Sequence, residues 1–336
     1  PVDAAPFRFH PKVSLLWGPH GVRLVVASAN MTRAGYGGNL EIADILEAGR
    51  GNRGDRNAIV QAMDWFEALA ARVHLPRVAA RHLAEEVASA RKALPGPAEA
   101  PPGPGITSDG CEEPVFLHNL EQSILDQIVS DERIIETVKR IVVISPFHDA
   151  DHSLLKELAA RCPDASIAVY QGPGGRALNP KVPAALRERA KPGTCSAQGP
   201  HDHIRRLHGK VVLLAGAQSA VLVSGSANLT TPGMGMARPL GNVEAVAARV
   251  CLGNPDAFEE IFQGAVRLQP GVWDSLVFEP PRAPQGASSG PVIRWAESNG
   301  RNLRLELAGL DDGDRTPVRG VEVLGGSVRV PLPIPA

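Results

Sequence analysis

Two stretches of the chain have the same pattern of short apolar runs, each of strand length, separated by polar turns. In each stretch two runs rich in valine and leucine flank a turn that contains glycine, which is typical of two adjacent buried strands. The first set is Val13–Leu16 and Val22–Ala27 around Gly18–Gly21, and the second is Val211–Leu214 and Val221–Ser224 around Gly216–Ser219. The chain is therefore expected to form two similar strand pairs.

A strand, a helix and a second strand are predicted upstream of the second pair, at Arg140–Ser145, Ser153–Arg161 and Ala165–Tyr170. A βαβ unit of this kind implies a parallel sheet flanked by helices. Ala58–Val73 and Val78–Leu94 have the spaced apolar positions of helices. We therefore expect an α/β fold with helix-flanked mixed sheets.

Composition divides the chain into four parts. Prolines and glycines crowd residues 94–112, which predicts a linker, and short alternating apolar runs after residue 270 predict a small β-rich appendage at 270–336. The linker separates a first repeat at 1–93 from a second at 113–269. Because no βαβ unit precedes the first strand pair, we expect the first repeat to be incomplete at its N-terminus.

An internal repeat links the two strand pairs, because residues 10–41 match residues 208–244 at chemically significant positions. An Asn-x-Glu triplet closes each copy, as Asn39 and Glu41 and as Asn242 and Glu244. The other identities all recur 198 residues apart: His10 with His208, Lys12 with Lys210, Ser28 with Ser226, Asn30 with Asn228, Thr32 with Thr230, and Gly35 with Gly233.

The repeated residues are predicted to meet at one edge of a sheet. Histidine and lysine, two residues apart, share a face of the first strand in each copy because side chains alternate along a strand. The Ser-x-Asn triplet follows the second strand. Polar side chains from both strands can therefore converge.

Two histidines with lysines and asparagines suit the cleavage of a phosphodiester. One imidazole can attack phosphorus while the other moves the proton of the leaving group, and the lysines and asparagines can stabilise the phosphoryl oxygens. Glu41 and Glu244 can each accept a hydrogen bond from an imidazole. Ser28 and Ser226 are candidate donors to the phosphate or to neighbouring polar groups.

The two motifs resemble the duplicated motif of the phospholipase D superfamily, and the resemblance covers most of residues 7–250. It implies two pseudo-equivalent halves, a covalent phosphohistidine and catalysis without a metal or cofactor. It also implies that His10 is the nucleophile and His208 the general acid. The superfamily usually has an aspartate five residues after the lysine, where this chain has Trp17 and Ala215.

Loss of that aspartate is also a feature of the tyrosyl-DNA phosphodiesterase branch, which this chain resembles in pattern. The resemblance implies a phosphodiesterase or nuclease that processes nucleic acid, with DNA expected in preference to RNA. Two alternatives stay open. One is a phospholipid hydrolase or phosphatidyltransferase, and the other is a recognition module of a larger defence or repair protein, to which further domains would belong.

Net charge and composition limit the possible functions and locations of the protein. The formal net charge of −1 gives no bulk attraction for a polyanion, so a nucleic-acid site must be local. No apolar run is long enough to span a membrane and no leader opens the chain, so no membrane association is expected. The four cysteines are isolated in sequence, which favours buried free thiols and a cytoplasmic location.

Several other residues are candidates around the site. Arg205 and Arg206 could contact flanking phosphates, and Tyr36 and Phe147 could stack on bases. The run from His148 to His152 contains two histidines and two aspartates. We expect these to cap a helix rather than to bind a metal ion. His201 and His203 are expected to be loop residues near the rim of the cleft.

Overall fold

The computed structural model describes two compact units, Pro1–Pro280 and Pro281–Ala336. Within the first unit it describes residues 9–49, 55–72, 77–95, 111–130, 138–173, 178–195, 205–236, 241–263, 265–267 and 272–279. In the second it describes the backbone of four strands. The predicted linker, apart from its two ends, and His201 and His203 lie outside the described residues.

The first unit alternates strands and helices. Its strands are β1 (Val13–Gly18), β2 (Gly21–Ala27), β3 (Asn39–Leu40), β4 (Ala43–Gly49), β5 (Val115–His118), β6 (Arg140–Ile144), β7 (Ser166–Gln171), β8 (Ala190–Cys195), β9 (Arg206–Leu207), β10 (Val211–Ala215), β11 (Ser219–Gly225), β12 (Ala245–Leu252) and β13 (Ala265–Arg267). Its α-helices are α1 (Arg56–Arg72), α2 (Arg77–Ala93), α3 (Ile124–Val129), α4 (Ser153–Arg161), α5 (Ala184–Arg189) and α6 (Thr231–Met234). A π-helix covers Ala34–Gly38, and 3₁₀ turns cover Glu259–Phe262 and Val272–Ser275.

A mixed sheet of eight strands, in the order β13-β8-β7-β6-β10-β11-β12-β5, forms the second half. Strands β6, β7 and β8 are parallel, and the remaining neighbours are antiparallel. Helix α4 connects β6 to β7, which confirms the predicted βαβ unit. The predicted α/β class with a mixed sheet is therefore confirmed.

A sheet of three strands, β1-β2-β4, forms the first half and matches β10-β11-β12 in order and antiparallel pairing. Helices α1 and α2 contribute apolar side chains such as Ile59, Trp65 and Val87 to its core. The same core contains Val243 and Ala245 from the second half. The two halves thus share one apolar core, which fixes the two copies of the motif relative to each other.

A bidentate ion pair adds to this contact between the halves. The Arg249 guanidinium on β12 donates to the Asp44 carboxylate on β4, with Nη2 2.6 Å and Nε 3.0 Å from Oδ1. Asp44 is nearly buried. Charge-assisted bonds with two donors fix orientation as well as distance, so the pair sets the position of β4 against β12.

The prediction of four free thiols is wrong for two cysteines. Cys111 and Cys251 form a disulfide, because the segment before β5 continues alongside β12 and brings Cys111 opposite Cys251. The two residues are 140 positions apart, so their spacing in the sequence gives no sign of the pair. Cys162 and Cys195 are free and buried, as expected. Only two of the four cysteines therefore support the cytoplasmic location, which stays a prediction.

The second unit consists of two antiparallel hairpins in the part that is described. Strands β14 (Val292–Ser298) and β15 (Leu303–Ala308) form one, and β16 (Val321–Gly325) and β17 (Val328–Leu332) form the other. This agrees with the predicted β-rich character of the C-terminal region. Among the described helices of the whole chain, none has the length and apolar character to span a membrane.

Candidate active site

The repeated histidines and lysines lie just before a strand rather than on it. His10 and Lys12 precede β1, and His208 and Lys210 precede β10. Each lysine turns back so that its ammonium donates to the carbonyl of its own histidine, at 2.6 Å in both copies. The prediction that histidine and lysine share a strand face is therefore wrong, because both residues lie in the segment just before the strand. The two side chains nevertheless lie close together.

The two histidine–glutamate pairs are exchanged between the copies. Nδ1 of His10 donates to the Glu244 carboxylate at 2.8 and 3.0 Å, and Nδ1 of His208 donates to Glu41 at 2.9 Å. A carboxylate can only accept, so each pair fixes the proton on Nδ1. Nε2 of both rings is thereby directed away from the glutamates, and Nε2 of His208 lies beside the Lys210 ammonium.

Backbone contacts bring each glutamate to the histidine of the other copy. The His10 amide donates to the Val243 carbonyl at 3.1 Å, and the His208 amide donates to the Leu40 carbonyl at 2.9 Å. Val243 and Leu40 directly precede the two glutamates. The parallel pairing of β3 with β9 extends the second of these contacts. One pseudo-twofold arrangement therefore positions both pairs.

Serine and asparagine side chains hold the first glutamate from inside the protein. The Ser28 hydroxyl donates to Glu41 at 2.5 Å and accepts from the Ile42 amide, and Asn39 donates to the same carboxylate at 3.0 Å. Burial by itself raises the pKa of Glu41, but the donors Ser28, Asn39 and His208 together hold it below its usual value. Glu41 is therefore a stable carboxylate.

The second glutamate has the same supports. Ser226 donates to the carboxylate of Glu244, and Asn242 donates at 3.1 Å. Ser226 and Ser28 are both fully buried. Of the two alternatives for the serines, donation to phosphate or to neighbouring polar groups, the structure shows the second.

Two lysines interact with both glutamates, and their pKa values are lower than those of ordinary lysines. Burial lowers the pKa of Lys12 to about 8, against the opposing charges of Glu244 and Glu41. Burial and the neighbouring charge of Lys12 lower the pKa of Lys210 to about 7. Lys210 is only 2% exposed. Each lysine interacts with both glutamates, and Lys210 also with Lys12, so both copies form a single cluster.

His208 has a distinct electrostatic environment. Burial and the Lys210 ammonium lower the pKa of His208, while its bond to Glu41 raises it by a smaller amount. The ammonium lies 3.3 Å from Nε2 of His208. A lowered pKa makes the protonated imidazole a stronger acid.

The recurring threonine and glycine shape the loop of each catalytic asparagine candidate. Thr230 accepts a hydrogen bond from the Gly233 amide at 3.2 Å, and Thr32 accepts one from Gly35 at 3.1 Å. A Cβ at Gly233 would lie 2.5 Å from the Asn228 carbonyl oxygen. Only glycine fits this close approach, and Gly35 meets the Asn30 carbonyl in the same way.

The asparagines themselves differ in burial. Asn30 is exposed. The Asn228 side chain is half-buried, and its Oδ1 has no hydrogen-bond partner in the described part of the chain. Both amides stand on loops that follow β2 and β11, as predicted, and each offers N–H donors to an anion.

Three of the four rim candidates are accessible. Arg206 is exposed, and its backbone pairs with Asn39, whose side chain holds Glu41. Tyr36 is 73% exposed and Phe147 is 42% exposed. Arg205 is half-buried, with Nε enclosed. Contacts of these four residues with a substrate remain predictions.

The run from His148 to His152 caps helix α4, as predicted, and also supports the second asparagine loop. Asp149 accepts from the amides of Leu154 at 3.1 Å and Thr231 at 2.9 Å. Ser145 accepts from the Leu229 amide at 3.1 Å, next to Asn228. These supports were missed in the sequence, because neither residue belongs to the repeat. Within the described ranges no three metal-ligating side chains cluster.

Solved structures with similar folds share little sequence with this chain. A phosphatidylserine synthase from Haemophilus influenzae Rd KW20 has a TM-score of 0.44 and 12% identity, over 80% of this chain and 64% of the synthase. A mutant yeast tyrosyl-DNA phosphodiesterase has a TM-score of 0.48 and 10% identity, over 74% of this chain and 68% of the yeast enzyme. A phospholipase D family member, Nuc from Salmonella typhimurium, has a TM-score of 0.30 and 16% identity, over 47% and 99%.

The chain thus spans less than two thirds of the length of the synthase. No protein-family model matches the chain, and no curated protein sequence is similar to it. At these TM-scores the similarities describe only a general outline of the fold. Function is therefore argued from the side chains of the site.

Proposed function

We propose that this chain is a metal-independent phosphodiesterase that acts on nucleic acid, DNA in preference to RNA, through a covalent phosphohistidine. The observation that carries the proposal is the pair of exchanged histidine–glutamate bonds beside two lysines. Two imidazoles that bond the glutamates through Nδ1 and keep Nε2 for the substrate, beside a source of positive charge, are what a two-step phosphoryl transfer needs.

In the first step, Nε2 of His10 attacks phosphorus and the P–O bond to the leaving oxygen breaks. His208, protonated on both nitrogens, gives its Nε2 proton to that oxygen. In the second step, water attacks the same phosphorus, the P–N bond breaks, and His208 takes a proton from the water. His10 and His208 return to their starting states.

The remaining polar groups act on the phosphoryl oxygens. Lys12 and Lys210 place positive charge in the cluster, and the amides of Asn30 and Asn228 offer N–H donors. Preorganised donors of this kind stabilise the charge that develops in the transition state. A divalent ion is not needed for any of these roles.

Three features favour nucleic acid as the substrate. The departure from the superfamily motif at Trp17 and Ala215 resembles the tyrosyl-DNA phosphodiesterase branch. The exposed rings of Tyr36, in the π-helix after Asn30, and of Phe147, in the segment after β6, suit stacking on bases. Arg206, directly upstream of the second motif, suits a contact with a flanking phosphate.

Hydrolysis of end-labelled oligonucleotides in excess EDTA tests the proposal. We expect cleavage by the native protein, loss of cleavage in His10→Ala, and native activity in the control His20→Ala, because His20 is an exposed residue of the β1–β2 turn. With a p-nitrophenyl phosphodiester, whose leaving oxygen needs no proton, His208→Ala is expected to accumulate a phospho-adduct on His10, detectable by mass spectrometry. Cleavage that requires a divalent ion would contradict the proposal, as would hydrolysis of phosphatidylglycerol vesicles without cleavage of any oligonucleotide.

A further inference from the structure

Asn119 lies beside Glu244 at the point where strand pairing between β5 and β12 ends. The last pair in the register is His118 with Ala245, so Asn119 comes opposite Glu244. Its side chain is fully buried. Oδ1 of Asn119 accepts the Glu244 amide at 2.8 Å, and the side chain thus replaces the next backbone bond of the ladder.

The amide nitrogen of Asn119 binds both ends of the segment that leads to Glu244. Nδ2 donates to the Gly235 carbonyl at 2.9 Å and to the Asn242 carbonyl at 2.7 Å. Asn242 in turn donates from its own side chain to the Glu244 carboxylate. Asn119 therefore acts on Glu244 through its backbone amide and also through a neighbour that holds its carboxylate.

We infer that Asn119 is a positioning residue for His10. The inference rests on the proposed role of His10 as nucleophile. Both carboxylate oxygens of Glu244 accept from His10. The three hydrogen bonds of the Asn119 side chain all go to Glu244 or to the segment that precedes it. A buried amide that donates with both N–H groups and accepts with its oxygen restricts the bonded groups to one arrangement.

The inference applies to one half of the site only. In the first copy the carbonyl of Leu40, next to Glu41, accepts from the amides of His208 and Gly209. Among the described residues, the side-chain hydrogen bonds of Asn119 go to Gly235, Asn242 and Glu244, which all belong to the second copy. Its removal should therefore disturb the His10–Glu244 pair and leave the His208–Glu41 pair as it is.

Nuclear magnetic resonance of the full chain tests this without any substrate. Each Nδ1–H bonded to a carboxylate gives a downfield proton signal, which Glu244→Gln and Glu41→Gln assign to His10 and His208. In Asn119→Ala we expect the His10 signal to be lost and the His208 signal to persist. Asn179→Ala is the matched control, because Asn179 also joins two backbone groups, Ala150 and Lys181, by its side-chain amide.

Kinetics provide the second readout. On an oligonucleotide we expect Asn119→Ala to lower kcat roughly 10- to 100-fold, which is the usual effect of losing a residue that orients a functional side chain. KM should stay within about twofold of the native value. If Asn119→Ala does not fold, Asn119→Ser replaces it, since a hydroxyl keeps one bond.

Two results would overturn the inference. One is a His10 signal that persists in the folded variant, and the other is a kcat no lower than that of Asn179→Ala. If the native protein shows no hydrolysis, the proposed function fails, while the resonance signals still report on the positioning of His10.

Discussion

Nδ1 of His208 donates to the carboxylate of Glu41 at 2.9 Å, although the two residues are 167 positions apart and belong to different copies of the repeat. The partner bond joins His10 to Glu244 across 234 positions. Each copy therefore supplies the histidine of one pair and the glutamate of the other. Neither pair can form within a single copy.

Replacing either glutamate should slow one chemical step in a way that depends on the leaving group. With a p-nitrophenyl phosphodiester the leaving oxygen needs no proton, so the burst of p-nitrophenolate reports only attack by His10. We expect Glu41→Gln to keep a near-native burst rate and Glu244→Gln to lose about 10²-fold. On an oligonucleotide both variants should be slow. Equal burst rates for the two variants would argue against these separate roles.

The value of kcat/KM should fall as pH rises towards and above neutrality. A general acid works in its protonated form, so kcat/KM falls as pH rises through the pKa of the acid in the free enzyme, and the pKa of His208 lies below its ordinary value of 6.5. Loss of charge on Lys210, with a pKa of about 7, lowers activity further in the same direction. A profile of kcat/KM from pH 4 to 9 checks this, and a value that rises from pH 6 to pH 8 would contradict the assignment of His208 as the acid.

The ion pair between the halves should contribute more to stability than an exposed pair. Asp44→Ala leaves the Arg249 charge beside β4 without this partner, and we expect the free energy of unfolding to fall by about 2 kcal/mol. Glu47→Ala breaks an exposed pair with Arg23 on the same sheet and should cost less than about 1 kcal/mol. Denaturant unfolding measures both, and equal losses would contradict the assignment.

The disulfide should be detectable chemically. In denaturant without reductant we expect alkylation of two cysteines, Cys162 and Cys195, and of all four after reduction. Reduction, or Cys251→Ser, should lower the free energy of unfolding by about 2–4 kcal/mol. Intact-mass spectrometry gives the number of alkyl groups. Four groups before reduction would show that the bond does not form in solution.

Local sequence patterns predicted most of the fold and the residues that form the candidate site. The βαβ unit and the helix Ser153–Arg161 follow from periodicity over a few residues, and the structure has that helix with the same bounds. The repeat identified His10, His208 and the two glutamates because shared chemistry recurs at a fixed spacing.

The exchange of partners could not be predicted, since it depends on how the two halves pack. Asn119 was missed because it occurs once, outside the repeat, and its role comes from its register opposite Glu244. The pairing of Cys111 with Cys251 likewise follows from the alignment of two segments far apart in the sequence. Such relationships are properties of the assembled sheet.

The lowered pKa of Lys210 has a consequence for how a substrate enters the site. Burial and the charge of Lys12 lower the pKa of this lysine to about 7, so at neutral pH its uncharged form is present beside the ammonium. A phosphodiester anion beside it favours the ammonium, so binding should take up a fraction of a proton from solution. The site thus gains positive charge as the ligand arrives, and calorimetry in buffers of different ionisation enthalpy would measure that uptake.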